Sequence, residues 1–167
     1  MAEITKAQLT DVKDIHKITL TAFEVYQHEL HSDVSLKALT ESEEDIIFDI
    51  NNHNVYVAKQ NGKILGSIRI QKLTEDLAYI YRFSVHPDEH NAGIGTELIE
   101  YAIKECERMD FSTIALHTNA KYFKLARYYY GKMFYVHSTN TDKGYIRALF
   151  VKELKDKKVD LTKALNK

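Results

Sequence analysis

The sequence predicts a single-domain α+β fold. Three observations carry that prediction: a helical-period opening, three strand-period segments joined by short turns, and then a helix, strand, helix and strand pair in succession. The length agrees, because 167 residues suit one domain with one sizeable core.

Ile4 to Leu9 reads as a first strand. A helix begins near Thr10 or Asp11, with Val12, Ile15, Ile18, Ala22 and Phe23 recurring at helical spacing. From Phe23 to Asn52 the helical pattern is interrupted and rich in His, Ser and acids, with a second helix around Glu43 to Ile50. The period then changes. Asn54 to Lys59 is a strand, and Gln60-Asn61-Gly62-Lys63 is a hairpin turn, because Asn-Gly supplies the positive φ angles of a tight turn. Ile64 to Gln71 returns, Thr74-Glu75-Asp76 turns again, and Leu77 to Val85 completes an antiparallel meander. After a loop holding the only proline, Pro87, a helix runs from about Ile94 to Met109 with Leu98, Ile99, Ala102, Ile103 and Cys106 as its buried stripe. Ser112 to His117 is a strand and Lys121 to Met133 a helix. Tyr135 to Thr139 and Tyr145 to Lys152 are the last strands, with Gly144 in the turn between them. This organisation puts the domain at residues 1–154. Residues 155–167 form a Lys-rich tail with few large apolar side chains, expected as a loose helix or disordered.

Composition narrows the function classes. No run of about 18 apolar residues exists, and the opening MAEITKAQLTDVKDI lacks the apolar stretch of a signal peptide, so the expected location is cytoplasmic. A single cysteine, Cys106, cannot form an internal disulfide, and its place on an apolar helix stripe points to burial rather than nucleophilic use. With 23 basic and 24 acidic side chains, net charge −1, neither a nucleic acid nor a membrane surface is an expected partner.

The informative segment is Arg82-Phe83-Ser84-Val85-His86-Pro87-Asp88-Glu89-His90-Asn91-Ala92-Gly93-Ile94-Gly95-Thr96. A strand ends at Val85 and a helix opens near Gly93. The first helical turn leaves N–H groups unpaired beside partial positive charge, and glycine lets an anion approach the backbone closely. Thr96 adds a hydroxyl donor. A Walker A loop fits less well, because Thr96 follows Gly95 directly, without a lysine. A dinucleotide fingerprint also fits less well, because Leu98 stands at its third small position and the strand ends an antiparallel meander. Taken alone, the two glycines also fit a plain turn. Two other patterns carry no metal expectation. His28-Glu29-Leu30-His31 lacks the His-Glu-x-x-His spacing, and His86 and His90 flank Pro87 in a loop.

In these residues the chain resembles the GNAT superfamily of N-acetyltransferases. The family's central motif is a strand ending in Val-x-Pro, then Gln/Arg-x-x-Gly-x-Gly/Ala opening a helix; Val85-His86-Pro87 and Gly93-Ile94-Gly95 match it. Ile4 to Ala7 with Asp11 resembles the family's first strand and helix. Val55 to Gly66 resembles its second and third strands, and Ala126-x-x-x-Tyr130 its last block. The departures are His90 at the Gln/Arg position, Asn91 where glycine often follows, Phe123 at a usual Asn, and Phe134-Tyr135 at the usual Gly-Phe.

The resemblance implies a mixed, mostly antiparallel, twisted sheet flanked by helices, with a splayed central strand pair. It implies acetyl-CoA as cosubstrate, with no metal. Backbone groups of Phe83 and Val85 pair with pantetheine, and the N–H groups of Asn91, Ala92, Gly93, Ile94, Gly95 and Thr96, helped by His90, bind pyrophosphate. Asn119 substitutes for the usual pantetheine-bonding Asn. Tyr130 is the implied thiolate-protonating residue, with Tyr129 its nearest competitor. The family's glutamate position holds Tyr79, so the general base is sought elsewhere: His117 first by location, with Glu24, His28, Glu29 or a water chain as alternatives. The expected function is N-acetyl transfer to a primary amine of a small molecule, peptide or protein, and the alternative is a non-catalytic acyl-CoA sensor. Acids at Glu24, Glu29, Asp33, Glu41, Glu43, Glu44 and Asp45 fit either attraction of a cationic amine or a solvated surface, and the surface is the simpler account. Relatives are often homodimers through the C-terminal strands.

Overall fold

The strand and helix signals map onto seven strands and five α-helices in a computed structural model that describes residues 2–30 and 36–167. His31 and Asp33 lie outside the described residues. The strands are β1 (Glu3–Lys6), β2 (Asn54–Gln60), β3 (Lys63–Lys72), β4 (Leu77–Val85), β5 (Thr113–Asn119), β6 (Tyr135–Asn140) and β7 (Arg147–Glu153). The helices are α1 (Val12–Glu29), α2 (Glu43–Asn52), α3 (Ile94–Arg108), α4 (Phe123–Gly131) and α5 (Thr162–Leu165). The sheet order is β1-β2-β3-β4-β5-β7-β6. β4 and β5 run parallel, while β1–β2, β2–β3, β5–β7 and β6–β7 are antiparallel. The mixed, mostly antiparallel sheet expected from the sequence is therefore what forms.

The residues divide into two compact units, Met1–Ile70 with Arg82–Lys104, and Gln71–Tyr81 with Glu105–Lys167. In the first, Asn61 and Gly62 take φ 53° and 76°, the paired left-handed angles that the β2–β3 hairpin demands. Ser42 caps α2: its Oγ accepts from the Asp45 N–H at 3.2 Å while an Asp45 oxygen accepts from the Ser42 N–H at 2.9 Å. Ile15, Ile18, Ile46, Val55 and Val57 form one core cluster between α1, α2 and the strands. Gly66 on β3 sits under α3, where an added Cβ would lie 2.6 Å from Leu98 Cδ1 and 3.0 Å from the Ser84 carbonyl. A larger residue would force the Leu98 side chain aside and press on the Ser84 carbonyl of β4.

In the second unit Leu77, Tyr79, Ala115, Leu149 and Val151 form a separate cluster. The tail, expected as a loose helix or disordered, carries the short helix α5 and adds to this cluster. Val159, Leu161 and Leu165 pack on it and Ala164 is fully buried. Three lysines tie the same stretch to the surface: Lys155 to Asp110, Lys157 to Asp76 at 2.8 Å, and Lys167 to Gln71 at 2.7 Å. The lysine-rich composition hides four apolar side chains placed where they can pack.

Candidate functional site

The loop before α3 is built to leave donors open. Pro87–Glu89 forms a short turn capped by His86, whose Nδ1 accepts from the Asp88 N–H at 3.2 Å. Gly93 then takes φ 82°, which turns the chain into the helix. The first helical bond is Glu97 N–H to the Gly93 carbonyl at 3.0 Å, so Ile94, Gly95 and Thr96 are the first-turn donors. Ala92 differs from the sequence expectation, because its N–H already donates to the Glu89 carbonyl at 3.1 Å. Among the described residues, the N–H groups of Asn91, Gly93, Ile94, Gly95 and Thr96 make no backbone bond. His90 is exposed beside them.

The packing around Gly95 leaves room for a side chain. A Cβ there would meet Val85 and Phe83 at 3.4 and 3.5 Å, ordinary contact distances. The protein's own packing does not demand a glycine there, and the missing side chain leaves the Gly95 backbone open to close approach. Phe83 and Val85 thus line the β4 side of this helix start. The parallel β4–β5 ladder pairs Leu77, Ala78 and Tyr79 with Thr113, Ile114 and Ala115 and stops there, although β4 runs on to Val85 and β5 to Asn119.

The second unit carries the remaining candidates. His117 on β5 shares a 2.7 Å hydrogen bond between its Nδ1 and the Tyr79 hydroxyl. Its Nε2 is buried and has no partner among the described residues. Burial, with smaller contributions from the charges of Arg147 and Lys143, pushes the His117 pKa from 6.5 down to about 4. The imidazole is therefore neutral at pH 7. Asn119 is nearly buried, and its Oδ1 accepts from the Lys121 N–H at 2.9 Å, so that oxygen shapes the β5–α4 turn. Along α4 two adjacent tyrosines differ in burial. Tyr129 is 5% exposed and packs edge-on to Phe134, whereas Tyr130 is 53% exposed with its ring 5.8 Å from Phe150. Cys106 is wholly buried, and burial pushes its thiol up to about 12, which removes it as a nucleophile.

Residues 14–135 match the model of the Acetyltransferase (GNAT) family. The chain belongs to the GNAT acetyltransferase family. Its fold is shared with PaiA N-acetyltransferase from Thermoplasma acidophilum in complex with coenzyme A, at TM-score 0.79 and 16% identity over 92% of this chain and 99% of that one. It is shared too with the ribosomal-protein-S18-alanine N-acetyltransferase from Escherichia coli, at TM-score 0.75 and 19% identity over 96% and 99% of the two chains. A third similar structure is YncA from Salmonella typhimurium with its cofactor acetyl-CoA, at TM-score 0.76 and 15% identity over 96% and 98%.

This GNAT protein also holds features that the sequence reading missed. The glycine-like backbone after α4 is at Met133, with φ 66°, and the buried aromatic is Phe134. The usual Gly-Phe therefore corresponds to Met133-Phe134, one residue earlier than Phe134-Tyr135. Glu41 is not a solvated surface acid. Its side chain is 5% exposed and accepts both Nη groups of the fully buried Arg69, at 2.5 and 2.9 Å, and the Arg82 Nε at 3.3 Å. Asp49 accepts from Arg69 Nη1 at 2.8 Å. Burial works against the Arg69 charge, but the bonds from Glu41 and Asp49 outweigh it and raise its pKa. The one local signal was an arginine set between Ile68 and Ile70 in β3, since a buried charge needs a partner.

Proposed function

We propose that this protein transfers acetyl from acetyl-CoA to a primary amine of a small molecule, peptide or protein by direct attack. The observation that carries the reading is the set of open N–H donors before and in the first turn of α3, together with a Gly95 that the protein's own packing does not require. The diphosphate of the cosubstrate binds these donors, with His90 and the Thr96 hydroxyl beside them. The pantetheine amides extend the sheet along β4, pairing with the backbone of Phe83 and Val85 beyond the end of the parallel ladder. The PaiA and YncA structures, which hold coenzyme A and acetyl-CoA, support that assignment by fold.

The amine nitrogen attacks the thioester carbonyl. The C–N bond forms, and the Val85 N–H stabilises the developing oxyanion. The C–S bond then breaks, and Tyr130 protonates the departing thiolate before solvent restores its own proton. His117 takes the proton that the acceptor nitrogen loses. A base of pKa about 4 cannot strip a free alkylammonium of pKa about 10.4, a transfer uphill by roughly 8–9 kcal/mol. The acceptor therefore enters as the neutral amine, and His117 works after attack, when the nitrogen has become far more acidic. That weak basicity and Tyr79 at the glutamate position also favour the second reading, a non-catalytic acyl-CoA sensor.

An acceptor screen that follows thiol release, run on wild type and Tyr130→Phe, tests the proposal. We expect amine-dependent CoA release that falls roughly 10²-fold or more in the variant, with acetyl-CoA affinity nearly kept. Binding without turnover across a broad amine panel would establish the sensor instead, and no calorimetric heat with CoA or acetyl-CoA would remove both readings.

A further inference from the structure

Arg82 has a backbone that its sequence neighbours do not explain. It sits inside β4 with φ 48°, a left-handed angle that costs a non-glycine residue about 1–2 kcal/mol. Such strain persists only where the surroundings over-determine it, and irregularities of this kind re-aim side chains beside active sites. The side chain is 20% exposed and donates its Nε to Glu41 at 3.3 Å. Among the described residues, its two Nη groups have no acceptor.

The neighbouring carboxylates leave those groups without a hydrogen-bond acceptor, although Asp45 lies near enough for its carboxylate to feel the Arg82 charge. Both Glu41 oxygens are already taken by Arg69, so one carboxylate is divided between two guanidinium groups. The second carboxylate, Asp49, bonds Arg69 rather than Arg82. Arg69 thus commits both Nη groups to these two carboxylates, while Arg82 keeps a fork of N–H donors beyond its Nε contact. Glu41, which the sequence offered as a magnet for a cationic amine, is committed to two cations.

Resting on the transferase reading above, we propose that the Nη groups of Arg82 bind a carboxylate carried by the acceptor amine. The planar fork matches a carboxylate with two parallel hydrogen bonds, a geometry that lysine cannot supply. Glu41, held in place by Arg69, acts as the positioning residue by fixing the Nε edge. Arg82 directly precedes Phe83, the first β4 residue assigned to pantetheine. The carboxylate would therefore anchor the acceptor close to the thioester.

The test compares matched acceptors, each amino acid against its carboxamide, on wild type, Arg82→Gln and Arg82→Lys loaded with acetyl-CoA. Wild type is expected to favour the carboxylate member by about 10-fold or more in kcat/KM. Arg82→Gln should reduce that ratio to within about twofold, the loss appearing in KM for the carboxylates. Arg82→Lys, which keeps the charge and the pairing with Glu41, should fall between the two and carries the comparison if the glutamine variant does not fold. Turnover with no carboxylate preference in wild type, or a preference unchanged in both variants, overturns the Arg82 assignment and leaves the transferase reading standing. Absence of amine-dependent CoA release from both members of every pair overturns both.

Discussion

At Tyr79 the phenol hydroxyl shares a hydrogen bond with His117 Nδ1 at 2.7 Å. That bond joins residues 38 positions apart, and nothing local in the sequence announces it. Burial, ahead of the charges of Arg147 and Lys143, sets how His117 titrates. Its folded pKa of about 4 lies below the ordinary 6.5, so the unfolded chain binds the proton more readily. The stability associated with a neutral His117 is complete above about pH 6.5 and is lost as the pH falls toward 4. His117→Asn keeps a hydrogen-bonding atom near the Nδ1 position but cannot titrate. Its Tm should fall by a few degrees less than that of wild type between pH 7 and pH 4.5. Parallel pH profiles would show that His117 does not carry the depressed pKa. The same scale separates Tyr129 from Tyr130: the sequence offered adjacent phenols, and burial leaves only Tyr130 exposed.

At the scale of single elements, most boundaries were legible because they follow short-range rules. The Asn61-Gly62 turn, the Ser42 cap and the Gly93 entry to α3 each depend on residues within a few positions. The exit from α4 was not, because a methionine occupies a left-handed position that normally reads as glycine. The methionine is 75% exposed, so its side chain contributes little packing to offset that strain. Met133→Gly removes a strain of about 1–2 kcal/mol and adds about 0.4–1 kcal/mol of unfolded-state entropy. The net gain should be about 0.5–1 kcal/mol, seen as a higher urea midpoint with an unchanged slope. A lower midpoint would mean that the Met133 side chain makes contacts that outweigh its backbone strain. The Gly-Phe pattern was placed one residue late for this reason: pattern matching sought glycine, while the backbone required only its angles.

Across the whole molecule, the prediction concerns the C-terminal stretch. Ala164 is fully buried against a cluster containing Tyr79, Leu149 and Val151. Ala164→Asp places an unpaired charge there and should cost about 2–5 kcal/mol, read as a marked fall in Tm. A melting temperature unchanged from wild type would show that α5 does not dock. No helix among the described residues is long and apolar enough to cross a membrane. Periodicity and turn chemistry in the sequence were enough to determine the α+β class, the order of strands and helices, and the glycine-opened helix start. These signals are local, and each needs only neighbours along the chain. Tertiary structure alone decided that Arg69, Glu41, Asp49 and Arg82 form one ion network, that Tyr79 meets His117, and that a lysine-rich tail packs. Those outcomes depend on which side chains distant in sequence arrive at the same place, and a buried charge or a handful of apolar residues acquires its meaning only from the partner it meets there.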